Sequence, residues 1–266
     1  AKENIITTLY KDKEEFSGGV IAAANHIASI CAEVEVLTAL GMENSHEFLL
    51  RSSLKSNVSM HALHVQGRPT TRKVRFVEDG YVRKLFEVYF MNDQPLPDHY
   101  RNELNDLIIQ KANEVDLVVV TDFGHGLINE DTVMVLRDRA KFLAVNTQTN
   151  SGNQGFNLAT KYMGADYVCI DSPEARYAVA DKYSDITDIV ADTLPELIKT
   201  DRIIVTHGSH GSYAYSKGDG LSYIPAFTKT VVDTVGAGDA FFAISAPLAA
   251  ANGDIRHVGF VGNAAG

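Results

Sequence analysis

Apolar runs of strand length recur along the chain, separated by stretches whose apolar positions return every three to four residues. The runs at Val34–Leu40, Leu117–Thr121, Phe142–Val145, Tyr167–Ile170 and Ile203–Thr206 carry few polar alternations, as expected of strands covered on both faces. The intervening segments predict helices over Gly19–Cys31, His46–Lys55, Asp98–Asn113, Glu130–Ala140, Pro173–Asp181, Ile186–Lys199 and Asp239–Asn252. Asn129 is placed to N-cap the fourth of these. Strands alternating with helices predict a mainly parallel sheet with helices on both faces. The clearest strand, Asp116–Asp122, runs into Phe123-Gly124-His125-Gly126, a loop at a strand's C-terminal end, where open α/β sheets place ligands.

One block breaks the alternation. From His61 to Phe90 polar and apolar residues alternate, notably over Arg72–Val77 and Lys84–Phe90, with Glu78-Asp79-Gly80 between them as a hairpin turn. With Ile5–Leu9 this predicts a small antiparallel sheet outside the main one.

Two glycine-bearing segments suggest chemistry. Val231–Phe242 contains Gly236-Ala237-Gly238-Asp239 at the start of an apolar helix. Little side-chain bulk lets an anion reach the backbone N–H groups, and the helix start adds unpaired donors and the positive end of its dipole. An acid at that place can take a proton from a hydroxyl while the donors steady a phosphoryl group. On its own, a turn whose aspartate merely caps the helix explains the run equally well. Upstream, Phe16-Ser17-Gly18-Gly19 opens the alanine-rich stretch Val20–Ala28, which includes Asn25. Taken alone, that is a plain buried helix with a satisfied core amide.

Together, and in this order, the two segments resemble the signatures of the PfkB/ribokinase family of small-molecule kinases. The resemblance implies a ribokinase-like three-layer α/β/α fold with a small antiparallel β lid, contributed by about residues 1–16 and 60–92. It implies that Gly18, Gly19 and Asn25 bind substrate, that Gly236, Ala237 and Gly238 form an anion hole, and that Asp239 is the catalytic base. Thr206-His207-Gly208-Ser209-His210-Gly211 matches the family's nucleotide loop, so Thr206, Gly208 and Gly211, with Asn263 near the adenine, are assigned to ATP. Asp171-Ser172-Pro173-Glu174 falls where the family has Asn-x-x-Glu, which assigns Glu174, with Asp171, to Mg²⁺.

Arg68–Arg75 and Val119–Gly126 further resemble the heptose-7-phosphate kinases of lipopolysaccharide precursor synthesis. Arg68, Arg72, Lys73 and Arg75 put four cations in eight residues, and Arg72 and Lys73 are taken as contacts to a sugar phosphate. Charges that protect an edge strand are the plainer alternative. Three features depart from the pattern. Asp171 stands in place of asparagine. Asn146-Thr147-Gln148 stands where heptose kinases have Asp-Pro-Lys, so neither the acid nor the cation carries over. The polar tract Asn150–Asn157 is a loop expected to reshape the pocket. The family's first strand precedes the point where this chain starts, and its last helix and strand follow Gly266. The expectation is therefore one kinase domain over 1–266 within a longer protein, with a fused nucleotidyltransferase domain as a partner and a homodimer through the lid.

Composition fits and excludes. A length of 266 residues with 45% hydrophobic and 22% charged content suits one globular α/β domain. A net charge of −10 argues against a general nucleic-acid or anionic-membrane surface, though not against one local phosphate site. Cys31 and Cys169, in apolar settings, read as reduced core residues of a cytoplasmic protein. No apolar run reaches the ~20 residues of a membrane span and no secretory signal is evident. A nicotinamide fingerprint fails because Phe241 occupies the third glycine position. A Walker A loop is absent, and His61/His64 and His207/His210 lack a third metal ligand. The alternative to a sugar kinase is a kinase-like domain that binds nucleotide or scaffolds a fused enzyme without catalysis.

Overall fold

The computed structural model describes residues 7–78, 83–227 and 235–266. Along the chain run α1 (Val20–Ile27), β1 (Val34–Gly41), α2 (Glu47–Ser52), β2 (Val58–Val65), β3 (Arg72–Glu78), β4 (Arg83–Phe90), α3 (Asp98–Ala112), β5 (Val118–Asp122) and α4 (Glu130–Arg139). There follow β6 (Leu143–Thr147), β7 (Tyr167–Asp171), α5 (Ser172–Val179), α6 (Ile186–Asp188), a π turn (Ile189–Thr193), α7 (Leu194–Ile198), β8 (Arg202–Thr206), β9 (Ser212–Ser216), β10 (Gly220–Ile224), α8 (Ala237–Ala250) and α9 (Ile255–Ala265).

The main sheet has the order β10-β9-β8-β7-β6-β5. Strands β5 to β8 are parallel, and β9 and β10 extend the sheet antiparallel. Successive residues of the central strands feed two cores, which is why these runs are apolar throughout. Val145, Val168, Ile170, Ile203 and Val205 face one layer with α3, α4, α5 and α7, whereas Ala144, Tyr167, Cys169 and Ile204 face α8 and α9. The three-layer arrangement expected from the sequence is thus present.

Helix α1 joins this body to a second, two-stranded parallel sheet, β1–β2. Ile21 and Ala24 pack on Val36, Leu40 and Met60, while Ala23 and Ile27 meet Ala243 of α8. The alanines leave so little bulk that α1 lies against a sheet on one side and a helix on the other.

The predicted lid needs correction. Residues 58–65 pair in parallel with β1 rather than joining an antiparallel block, because period-two alternation fixes a strand but not its partner. The lid among the described residues is the β3–β4 pair alone. Of the predicted strand Ile5–Leu9, Ile5 and Ile6 lie outside the described residues, and Thr7, Thr8 and Leu9 have no strand pairing. The turn residues Asp79 and Gly80 also lie outside them, as do Val231–Thr234 of the C-terminal motif. The predicted helix Ile186–Lys199 is broken by the π turn ahead of Pro195, whose ring cannot donate to the helical ladder. Both cysteines are free; Cys169 is buried as expected, and Cys31 only half-buried.

Candidate active site

The site is built where α8 begins. Gly236 precedes the helix at φ +83°, a left-handed conformation that glycine adopts without strain. Gly236 has no side chain to cap this end, and the N–H groups of Ala237, Gly238 and Asp239 have no partner within the helix. A Cβ added at Gly236 or Gly238 would meet open space. Together these make a clear, donor-lined approach of the kind an anion occupies.

Asp239 sits in the first turn. Its Oδ1 accepts a 2.6 Å hydrogen bond from Nε2 of Gln148, at the end of β6. Burial raises its carboxyl above the usual range; Lys73, Gln148 and His26 oppose that rise. Lys73 reaches across from the lid with its ammonium 4.9 Å from the Tyr89 ring centre. Helix α1 opens at Gly19, φ +55°, and a Cβ there would touch the Phe123 ring at 3.4 Å. Packing of α1 on α8 through Ala23, Ile27 and Ala243, with His26 of α1 interacting electrostatically with Asp239, brings the helices that carry the two distant glycine motifs together.

The loop after β5 forms the neighbouring wall. Buried Asp122 accepts from Gly124 N–H at 3.0 Å, Lys161 Nζ at 2.7 Å and the Tyr162 hydroxyl at 2.7 Å. This holds the loop that carries Phe123 and His125. Burial, with Lys73 and Arg68 nearby, pushes the His125 imidazole down to about 4, so it is neutral at physiological pH.

The basic segment divides its labour. Adjacent residues on a strand point to opposite faces, so Arg72 lies over Phe90 at 4.3 Å while Lys73 lies over Tyr89 on the Asp239 side. Arg75 pairs with Glu87. Arg68 donates to the carbonyls of Asn92, Gln94 and His125. Asn25 is also committed: its Nδ2 donates to Ser53 O at 2.8 Å and its Oδ1 accepts from Lys55 N–H at 2.9 Å. Gly18 lies ahead of α1, and a Cβ there would meet nothing.

A second corner lies beside the first turn of α8. Thr206 ends β8, and the turn over Gly208–His210 closes with His207 N–H donating to Gly211 O at 2.7 Å. Gly211 (φ +83°) has no room for a Cβ against Ile224 and Ala226. Asn263 Oδ1 accepts from Ser212 Oγ at 3.2 Å, and its Nδ2 donates to Pro225 O at 3.0 Å. The Phe241 ring fills the space above Gly262, which lays the last turn of α9 against the first turn of α8. Asn263 thus lies between the strand that follows the Gly208–Gly211 turn and the helix end that packs on α8.

Asp171 and Glu174 form a capping box on α5. Glu174 accepts from Thr149 N–H at 2.8 Å and Asp171 N–H at 2.9 Å, one bond per oxygen, and each oxygen retains a lone pair. Burial first, then the Asp171 charge, pushes its carboxyl up to about 7. Asn146 Oδ1 and Thr149 Oγ1 are buried without a hydrogen-bond partner among the described residues. A buried acid bonded to the backbone of Thr149, whose hydroxyl has no partner among the described residues, fits an oxygen-seeking cation such as Mg²⁺. Among the described residues there is no cluster of three or more His, Cys, Asp or Glu side chains able to hold a metal by themselves. His61 and His64 instead pair with Glu35 and Glu47.

The pfkB family carbohydrate kinase profile matches residues 10–266. The chain belongs to the PfkB family of carbohydrate kinases. This PfkB kinase is 26% identical over 241 residues to the bifunctional protein HldE of Nitrobacter hamburgensis, covering 89% of the chain and 48% of that protein. It is 24% identical over 236 residues to HldE of Helicobacter hepaticus, covering 88% and 48%. The chain thus spans about half the length of the curated relatives it matches. Its fold matches the tetrameric inhibited form of Escherichia coli phosphofructokinase-2 with a TM-score of 0.76 and 16% identity, covering 97% and 86% of the two chains. A possible 1-phosphofructokinase from Thermotoga maritima matches with a TM-score of 0.74 and 16% identity, covering 98% and 83%.

Sequence reasoning leaves Gln148, His26 and Phe123 out of the site. Gln148 is visible only as a missing lysine, and His26 only as a side chain with no evident partner. Contacts that span 91 residues, such as Gln148 to Asp239, leave no mark in local spacing.

Proposed function

We propose that this kinase transfers the γ-phosphoryl group of ATP to a hydroxyl of a sugar or sugar phosphate, with heptose 7-phosphate as the first candidate acceptor. The observation that carries the reading is Asp239, a half-buried acid in the first turn of α8, beside the backbone N–H groups of the helix start and close to α1, which carries the other glycine motif. Asp239 takes the proton as the acceptor oxygen bonds to the γ-phosphorus and the bond to the β-phosphate oxygen breaks. The N–H groups at Gly236–Gly238 offset the charge on the transferring group. The Gly208–Gly211 turn and Asn263 hold the nucleotide, and Glu174, through water and with Asp171, holds Mg²⁺. Bound there, Mg²⁺ supplies neutralisation of phosphate charge.

The lid fits a cover over the acceptor. Its inner face is polar, with Lys73–Tyr89 and Arg75–Glu87, and excludes water once closed. Its outer face is apolar: the rings of Phe76 and Phe86 stack at 4.4 Å, and Phe90 and Val88 stay partly exposed. A homodimer that covers this outer face is part of the reading. So is a longer protein with a nucleotidyltransferase part, supported by relatives named bifunctional and about twice as long. We place the chain in the cytoplasm, where ATP and sugar phosphates occur; among the described residues no helix is long and apolar enough to cross a membrane.

A non-catalytic nucleotide-binding domain is the second reading, favoured by the amide at Asn146 and by the committed side chain of Asn25. Incubation with ATP, Mg²⁺ and a panel of heptose 7-phosphate, fructose 6-phosphate and unphosphorylated sugars separates the two. ADP release that depends on one acceptor supports the kinase. Nucleotide binding with no acceptor-dependent ADP supports the second reading.

A further inference from the structure

The asparagine-rich loop over 150–157 has no role in the chemistry so far, yet its amides are spent in an ordered way. Asn153 Nδ2 donates to the Gln148 carbonyl at 2.8 Å and also reaches the Phe123 carbonyl. Asn157 Nδ2 donates to the Asp122 carbonyl at 2.7 Å. Asn150 Nδ2 donates to the Phe123 carbonyl at 2.8 Å, and Asn150 Oδ1 accepts from the Gly152 and Asn153 N–H groups. Gln148 N–H donates to the Asp122 carbonyl at 2.9 Å. Both backbone groups of Gln148 are therefore pinned, one by β5 and one by the loop. Its side chain then has a fixed origin, from which Nε2 meets Asp239 Oδ1 at 2.6 Å. An ionised carboxylate only accepts, so the donor end of the amide must face it.

We propose that Gln148 is a positioning residue: held by the asparagine loop, its amide grips one oxygen of Asp239 and leaves the other for the acceptor hydroxyl. This inference rests on the reading of Asp239 as the base. A neutral donor at this place has a chemical consequence. A cation in hydrogen-bond contact would favour the carboxylate strongly and weaken it as a base, whereas an amide orients it with a smaller effect. The other groups facing Asp239 are Lys73 from the lid, His26 from α1 and Glu174 from α5. None of them is hydrogen-bonded to it among the described contacts, so orientation falls to Gln148.

The test uses the full chain and two readouts. Carboxyl-¹³C aspartate labelling, with the Asp239→Asn protein identifying the Asp239 resonance, follows its titration without any acceptor. Turnover is followed with Mg²⁺, ATP and heptose 7-phosphate, or whichever panel sugar is phosphorylated. In Gln148→Met, the loss of a donor to the charged form moves the Asp239 midpoint to higher pH. There kcat falls about tenfold or more, while KM for ATP changes less than about twofold. Gln148→Glu, which keeps the size of the side chain, moves the midpoint higher still through like-charge repulsion and serves if the methionine variant folds poorly. An unchanged midpoint, or a shifted midpoint with unchanged kcat, overturns the proposal. If Asp239→Asn itself retains turnover, the base assignment falls instead, and the resonance still reports whether Gln148 holds the carboxylate.

Discussion

At the scale of single residues, three acids have different surroundings, each of which suits a different role. Asp122 is buried and accepts three hydrogen bonds, from Gly124, Lys161 and Tyr162, so it is a strut. Glu174 is buried with spare lone pairs next to Thr149, whose hydroxyl has no partner among the described residues, which suits a cation. Asp239 is half-buried and held at one oxygen by Gln148, which suits a base. His125 lets this environment be tested by pH. Its folded-state value of about 4 lies below the ordinary 6.5, so the unfolded chain binds the proton more tightly. Its contribution to stability is complete above about pH 6.5 and is lost as pH falls towards about 4. Glu174 acts in the opposite sense over part of this range, because its raised value favours the folded state at low pH. The difference between the parent protein and His125→Asn isolates the histidine. Thermal midpoints of the variant should fall less steeply than those of the parent from about pH 6.5 to about 4; parallel curves would contradict this.

Elements place these residues by means that are only partly written in local sequence. The strands β1 and β5 to β8, and the helices from α1 to α5, lie within a few residues of where apolar periodicity puts them. In contrast, β9, β10 and α9 are not foreseen by it. Residues 212–216 (Ser-Tyr-Ala-Tyr-Ser) alternate weakly and pair only because β8 offers an edge, and α9 is recognisable as a core helix only once α8 is there to receive Gly262. The lid is half legible: the alternation of β3 and β4 marks them as paired strands, but the choice of partner for residues 58–65 is a property of the fold. Two predictions belong here. Lys161→Met leaves Asp122 buried without its cation and should destabilise the domain by about 3–5 kcal/mol in denaturant unfolding. A loss below ~1 kcal/mol would show that the tyrosine and the turn suffice. Gly236→Ala should cost about 1–2 kcal/mol from the positive φ alone, since the methyl group would meet open space. Its phosphoryl transfer should fall further than that cost in stability explains, and a loss of stability without loss of turnover would remove the turn from the anion hole.

For the whole molecule, the family is legible because its two signatures are short, glycine-bearing and far apart, and a fold is needed to bring them together. Helix α1 supplies that fold feature by packing on β1–β2 with one face and on α8 with the other. The roles of Arg72 and Lys73 are less legible, since neighbouring residues in a strand cannot serve the same side. At this scale the exposed apolar lid face makes a prediction of its own. Sedimentation velocity should report a dimer or larger species for the parent protein, and Phe76→Lys with Phe86→Lys should shift it towards monomer with the fold intact by circular dichroism. A monomeric parent would contradict dimerisation through the lid.

The central claim is that Asp239, at the start of α8, removes a proton from a sugar hydroxyl while ATP gives up its γ-phosphoryl group. It is tested most directly by comparing phosphoryl transfer from γ-labelled ATP in the parent protein and in Asp239→Asn, with ATP binding measured in both by calorimetry. The account predicts a loss in kcat of roughly 10²–10⁴-fold with nucleotide binding retained. Turnover within a few-fold of the parent protein's would contradict it.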